Sequence, residues 1–234
     1  MLFLFIAGAS ASGKTEVANK VVEILNENKI KTATLSMDHY YKSQQERGGV
    51  IEINFDIPEA CNWELLENQL KMLSEGQIIN RPTYCFLAKD RLPTTQTINP
   101  KDVQVVVVEG ILALHNVTNL NLVNKLAIFV ETNSYRSILA RRKERDQQFR
   151  ATSPEETAAR ERKTVGPAFF RYIAPSKANA DLTVTNNDSD VVVNEQLPIN
   201  SGVKNGIEKA AEEIIDKIRE THAQLFPAAK IATI

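Results

Sequence analysis

The chain has 234 residues, 28 basic and 29 acidic side chains and a formal net charge of −1. That length suits one well-packed α/β domain and is short for two. The near-zero charge gives no reason to expect a nucleic-acid or anionic-membrane partner. Two cysteines, Cys61 and Cys85, make neither a disulfide framework nor a metal cluster, and the longest apolar runs are far too short to span a bilayer. No leader precedes the first apolar run, so the expected setting is cytoplasmic and reducing.

Leu2 to Ala7 is an apolar run of the kind a strand buried on both faces requires. Directly after it stands Gly8-Ala9-Ser10-Ala11-Ser12-Gly13-Lys14-Thr15, which is Gly, four residues, then Gly-Lys-Thr. This is the spacing of a phosphate-binding P-loop. Glycines at its two ends let the backbone turn and approach an anion. The loop N–H groups and the positive end of the next helix then face a polyphosphate. Lys14 reaches the β- and γ-phosphates, and the Thr15 hydroxyl is placed to ligate Mg²⁺. Val17, Val21, Ile24 and Leu25 recur at helical spacing, so the strand–loop–helix context is complete. The expected ligand is a nucleoside triphosphate.

Lys31 to Ser36 reads as a second strand ending at Asp38. An acid just beyond a parallel strand's carboxyl end lies on the ligand side of the sheet, so Asp38 is a candidate to bind a substrate hydroxyl or Mg²⁺. A lone Asp there otherwise caps a turn. After a polar loop, Pro58 biases Ile57 away from helix and leaves Asp56 in a loop that could face a substrate. Trp63, Leu66, Leu70 and Leu73 predict an amphipathic helix closed by Gly76. Ile78 to Phe86, with a return strand near Thr95 to Ile98, predicts a small hairpin carrying Tyr84 and Phe86 on one side. Such a pair stacks on a base or, more commonly, fills a core.

Val103 to Val108 predicts a central parallel strand running into Glu109, an acid placed for a Walker B role toward Mg²⁺. Leu126 to Val130 is a further strand, with Ser134 capping the next helix. That helix carries Arg136, Arg141, Arg142, Lys143, Arg145 and Arg150. Such a run is usually a solvated face, although in phosphoryl transfer arginines also close over the triphosphate. Phe149 to Pro154 reads as a lid tip, and the following helix is expected to end near Gly166-Pro167. Leu182 to Thr185 predicts a last strand. Asn186 to Gly206 reads as a surface excursion with a short strand at Val191 to Val193, and Ile207 to Leu225 as a closing amphipathic helix ahead of a frayed terminus. The three histidines, His39, His115 and His222, form no cluster and are assigned no role.

Taken together these blocks resemble the uridine/cytidine kinases of the phosphoribulokinase/uridine kinase group. The resemblance rests on the P-loop, Leu35-Ser36-Met37-Asp38 with Tyr41-Lys42, and Asn54-Phe55-Asp56 with Pro58 and Ala60. It continues through Pro82-Thr83-Tyr84-Cys85-Phe86, Val108-Glu109-Gly110-Ile111-Leu112, Arg141-Arg142 with Arg145-Asp146, and Pro175-Ser176-Lys177 with Ala180-Asp181. It implies one domain over residues 1–234 with a lid at about 145–160 and a C-terminal helix at about 207–225. The implied fold is a three-layer α/β P-loop NTPase, with a mainly parallel five-stranded sheet and a small hairpin over the acceptor site.

The implied reaction moves the γ-phosphoryl group of ATP (or GTP) to the 5′-hydroxyl of a pyrimidine nucleoside. By position, Asp38 would be the catalytic base, acting with Lys14 and Arg145. Asp56 and Arg142 would hold the ribose, Tyr41, Tyr84, Phe86 and Lys89 would line the acceptor site, and Arg145 and Arg150 would face the phosphates. Thr15, Glu109 and Asp38 would serve Mg²⁺. The resemblance also suggests a homo-oligomer.

The chain departs from the family pattern around the base pocket and lid. Cys85 stands in place of Asp, Lys89 and Ile57 in place of His, Cys61 in place of Phe, and Thr152 in place of the second lid arginine. Arg160-Glu161 falls where a Gln-Tyr pair is usual. Two other readings follow: a P-loop kinase for another small hydroxyl substrate, and a nucleotide-binding regulatory protein with weak transfer.

Overall fold

The computed structural model describes residues 1–51, 53–150, 152–186 and 206–226, with the backbone alone for 149 and 150. The expected strand at Val191 to Val193 and the terminal residues lie outside the described residues. No described helix is long and apolar enough to cross a membrane.

Five parallel strands form the central sheet: β1 (Leu2–Gly8), β2 (Thr32–Ser36), β5 (Val105–Glu109), β6 (Lys125–Glu131) and β7 (Leu182–Thr185). Their spatial order is β2-β5-β1-β6-β7. A separate antiparallel hairpin joins β3 (Ile79–Cys85) to β4 (Asp90–Ile98). β1 and β5 are buried along their whole length, which explains why their sequences show no polar alternation. Alternate residues still go to opposite faces. Phe3, Phe5, Leu35, Val106, Val108 and Phe129 pack on one side, with Tyr40, Leu66 and Leu70. Leu2, Leu4, Ile6, Val105, Val107 and Ile128 pack on the other, beneath two helices.

Those helices are α1 (Lys14–Glu27) and the C-terminal α7 (Gly206–Thr221). α1 contains several β-branched residues, each costing a few tenths of a kcal/mol relative to Ala. Burial of Val17, Val21 and Leu25 outweighs this, at roughly 1.5–3 kcal/mol for each fully buried side chain. On the opposite face, α2 (Trp63–Ser74) starts at Asn62, whose side chain accepts the Leu65 N–H, and is closed by Gly76 at φ +77°.

Four boundaries differ from the sequence reading. β5 begins at Val105, because Pro100–Asp102 forms a tight turn ending at Val103. β4 begins at Asp90, five residues earlier than expected, since pairing resumes across a register shift at Pro82/Thr83. The helix after the arginine run does not stop at Gly166-Pro167. It continues as α4 (Pro154–Arg160), a π turn Glu161–Val165, α5 (Gly166–Ala168), a second π turn Phe169–Ile173 and α6 (Ala174–Ser176). Pro167 and Pro175 each follow a π turn, where the hydrogen-bond ladder is already re-registered and a missing N–H disrupts least. Finally, Asn186 is buried rather than part of a surface excursion.

The end of β5 explains how two candidate residues meet. Ser36 pairs with Glu109 in the sheet, so the turn Met37–Tyr40 passes directly over Gly110. A Cβ at Gly110 would sit 2.7 Å from the Met37 Cβ. Gly110→Ala is therefore expected to push the Asp38 turn away and to cost about 1–3 kcal/mol of stability, as overpacking does. Urea unfolding measures it; an unchanged midpoint would show that the turn yields freely.

Candidate active site

The loop between β1 and α1 is shaped by close contacts. Gly8 pairs with Val130, and a Cβ there would run into the Val130 carbonyl and stand 2.8 Å from the Ser12 Oγ. Gly8 thus serves packing against β6 rather than a left-handed turn. Gly13, at φ +82°, does occupy the left-handed region, and a Cβ on it would strike the Asn186 amide. Ala11 is also left-handed, at φ +69°, a conformation that costs a residue with a Cβ roughly 1–2 kcal/mol. Gly13 offers α1 no side-chain cap, so the first-turn N–H groups, including those of Lys14 and Thr15, have no cap acceptor. An uncapped, left-handed loop at a helix N-terminus is a concave array of donors suited to phosphate.

Two side chains that the sequence reading did not assign brace this loop from behind. The Asn186 Nδ2 donates to the Ser12 carbonyl at 3.0 Å, and Arg141 donates to the same carbonyl at 3.4 Å and to the Asn186 carbonyl at 3.3 Å. Arg145 approaches from the same helix, α3 (Tyr135–Arg150), with two nitrogens 3.4 and 3.5 Å from the Ser10 Oγ. The arginine run is therefore not simply a solvated face: Arg141, Arg142 and Arg145 all turn inward. Ser134 caps this helix, accepting the Ser137 N–H.

Beside the loop, the Thr15 hydroxyl donates to the Glu109 Oε2 at 3.2 Å. Glu109 is 6% exposed at the end of β5. The P-loop, Glu109 and Asp38 thus occupy the carboxyl ends of three adjacent strands, β1, β5 and β2. Among the described residues no group of three His, Cys, Asp or Glu side chains would hold a metal unaided. A hydroxyl and one carboxylate facing a phosphate cradle instead match the donor set of Mg²⁺, which binds through one or two carboxylates and substrate phosphates.

Asp38 is tied to the other half of the site. The Tyr41 hydroxyl hydrogen-bonds to its carboxylate, and burial, then Asp38, hold that phenol well above its usual pKa. Burial also pushes the Cys61 thiol up to about 12, with Asp38 adding to the effect, so this thiol stays protonated near neutrality. Tyr41, Phe55, Tyr84 and Phe86 form an edge-to-face cluster with centroids 4.9–6.0 Å apart. Both rings of the expected aromatic pair belong to this cluster, Tyr84 buried within it and Phe86 half-exposed at its edge. The Tyr84 hydroxyl is buried without a hydrogen-bond partner. Asp56 lies within electrostatic reach of both Tyr41 and Tyr135. Lys89 sits in the hairpin turn at φ +49°, and its carbonyl accepts a hydrogen bond from Arg47.

Arg142 is buried against two acids, with Nη1 3.2 Å from Glu161 Oε2 and Nε 3.6 Å from Asp146 Oδ2. Asp146 also binds Arg145 at 2.8 Å, and the Tyr135 hydroxyl donates to Glu161. Asp146 pairs with both arginines from within their own helix, at i,i+4 to Arg142, whereas Glu161 reaches Arg142 from a π turn 19 residues on, a pairing that no local motif signals. The Arg150 side chain lies outside what is described. The residues expected around the phosphates and those around the acceptor meet at Asp38 and along this arginine network.

His39, assigned no role from sequence, links the halves: its Nδ1 accepts the Tyr84 N–H at 3.2 Å. Burial, then Arg81, lowers its pKa from the usual 6.5, opposed by Glu109. The folded state thus resists a proton that the unfolded chain accepts. Its contribution to stability is complete above the unfolded value and is lost as pH falls below it toward the folded value. Unfolding free energy is expected to fall as pH drops below about 6.5, and His39→Gln should flatten part of that fall. A variant with the wild-type pH profile would show that His39 titrates freely.

Known proteins resemble this chain in sequence and fold. Residues 3–192 match the model of the phosphoribulokinase / uridine kinase family. Uridine-cytidine kinase B of Dictyostelium discoideum is 37% identical over 189 residues, covering 80% of this chain and 75% of that protein. Uridine kinase of Mycoplasma genitalium is 36% identical over 183 residues, covering 77% and 83%. The fold is also that of phosphoribulokinase from Rhodobacter spheroides, at a TM-score of 0.55 and 14% identity over 79% of this chain and 69% of that one. The chain belongs to the phosphoribulokinase / uridine kinase family, P-loop kinases that transfer phosphoryl groups to a hydroxyl acceptor.

Proposed function

We propose that this kinase transfers the γ-phosphoryl group of ATP, with Mg²⁺, to the 5′-hydroxyl of uridine or cytidine. The observation carrying the reading is the placement of Asp38 beside the Thr15–Glu109 pair, on adjacent strand ends, with an aromatic-lined cluster on its far side. The names of the relatives support the pyrimidine nucleoside as acceptor.

In this mechanism the P-loop N–H groups and Lys14 hold the triphosphate. Thr15 and Glu109 would hold Mg²⁺, which supplies charge neutralisation at the phosphate oxygens. Asp38, oriented by the Tyr41 hydroxyl, aligns the acceptor hydroxyl and takes its proton as the new O–P bond forms and the bond to the β-phosphate oxygen breaks, releasing ADP. Arg145, within reach of Ser10, spreads positive charge over the transferring group, and Arg150 approaches from the lid at about 145–160. Tyr84 and Phe86 border the base, its hydroxyl-bearing ring offering an unpaired polar atom, and Lys89 lies at the hairpin end of the pocket. Asp56 and Arg142 take the ribose hydroxyls, Arg142 loosening its hold on Glu161 as they bind. A carboxylate acceptor for two hydroxyls rejects analogues that lack them.

A kinase for a different small hydroxyl substrate is the second reading, favoured by the turn position of Lys89 and the engagement of Arg142 by two acids. Phosphoryl transfer from ATP across uridine, cytidine, other nucleosides and sugar phosphates separates the two. Uridine or cytidine is expected to give the highest kcat/KM, whereas preference for a non-nucleoside would replace the acceptor. Asp38→Asn is expected to lower kcat about 100- to 10,000-fold, with the KM for ATP little changed. Near-full turnover in that variant would remove Asp38 as the base.

A further inference from the structure

The wall of the proposed acceptor site is assembled from three segments remote in sequence: the stretch Tyr41 to Arg47, the N-terminus of α2, and the β3–β4 hairpin. One carboxylate, which has no part in the mechanism above, touches all three. Glu46 Oε2 accepts the Ser43 N–H at 2.7 Å and a guanidinium N–H of Arg91, on β4. Its Oε1 accepts the Asn62 amide at 2.6 Å. Asn62 in turn caps α2 through Leu65 at 2.9 Å, and its own N–H donates to the Tyr40 carbonyl at 2.8 Å. Arg91 uses its Nε on the Tyr41 carbonyl at 2.9 Å. Nearby, Gln44 donates to Asp90 at 2.8 Å and to the Ala88 carbonyl at 3.0 Å.

The Arg91 side chain is 18% exposed and that of Glu46 34%, so water screens the pair and its direct contribution to global stability is small. Its placement matters more. Arg91 grips the backbone of Tyr41, the residue whose hydroxyl holds Asp38 and whose ring meets Tyr84 at 5.5 Å. The hairpin is a separate two-stranded sheet: Ile79, Tyr84 and Ile98 anchor it in the core, and polar contacts of this kind hold its end near the turn to the Tyr41 segment.

We propose that Glu46 and Arg91 are positioning residues for the acceptor: together they latch the hairpin to the Tyr41 segment and fix the aromatic wall relative to Asp38. The latch lies away from the P-loop, so it acts on the acceptor and not on the nucleotide. This assignment rests on the proposed location of the acceptor site.

The test uses the full chain with its best acceptor, comparing Glu46→Gln, Arg91→Ala and the double variant. Each single variant is expected to raise the acceptor KM about tenfold, with the ATP KM unchanged. The double variant should be no worse than the singles, since either change opens the same latch. Hydrogen exchange read by mass spectrometry should quicken across residues 79–98 and 41–47, but not in α1. Unchanged acceptor KM and unchanged exchange would overturn the proposal, as would ATP and acceptor KM rising together, which marks general loosening. Should Arg91→Ala fail to fold, Glu46→Gln carries the same test, because it preserves shape while removing the charge. Faster hairpin exchange with no effect on any acceptor KM would keep the latch but remove the acceptor assignment. Failure of the function reading is separate: wild-type protein would then reject pyrimidine nucleosides.

Discussion

The parallel seat of β5 between β1 and β2 is the constraint on which the site depends. It aligns Ile6, Glu109 and Ser36 across three strands, so the P-loop, an acid and the Asp38 turn leave the sheet side by side. Such alignment is tolerated because the chain has no Cβ at two crowded points. Gly8 lets the loop lie against Val130, and Gly110 lets Met37 lie over the end of β5. The Thr15–Glu109 hydrogen bond is the visible result. The buried strands contribute most of the stabilisation through apolar area, and the polar groups are carried at their ends, where loops leave them accessible.

The two halves of the site are built differently. Around the proposed phosphate cradle, backbone geometry does most of the work: a left-handed Gly13, an uncapped helix start, and Asn186 and Arg141 bracing the loop through the Ser12 carbonyl. Around the proposed acceptor site, side chains do it: an aromatic cluster, the Tyr41–Asp38 hydrogen bond and a charged network at Glu46. Backbone donors suit an anion, whereas side chains can change without disturbing the sheet.

The sheet and the P-loop were legible in the sequence because each is encoded locally. Leu2 to Ala7 and the valine run show burial on both faces, and Gly-x-x-x-x-Gly-Lys-Thr fixes a loop within eight residues. What sequence reading missed depends on partners far along the chain. Asn186, read as surface, is buried because the Ser12 carbonyl is there to receive it. Arg142 gains its two acids from its own helix and from a π turn nearly twenty residues on. Gly166-Pro167 looked like a helix end, yet a Cβ at Gly166 would stand 2.8 Å from the Glu161 carbonyl, so that glycine serves helix packing across a π turn. β4 escaped its true start because Leu92 to Thr97 is exposed and carries no apolar alternation.

The measurement that tests the account most directly identifies which atom receives the phosphoryl group. Incubating the protein with Mg²⁺, ATP and uridine, then assigning the product by phosphorus–carbon couplings in NMR, gives the answer in one spectrum. The account predicts a 5′-phosphate, formed at a rate that collapses in Asp38→Asn. Phosphate on a ring hydroxyl, or release of inorganic phosphate with uridine left intact, would contradict it.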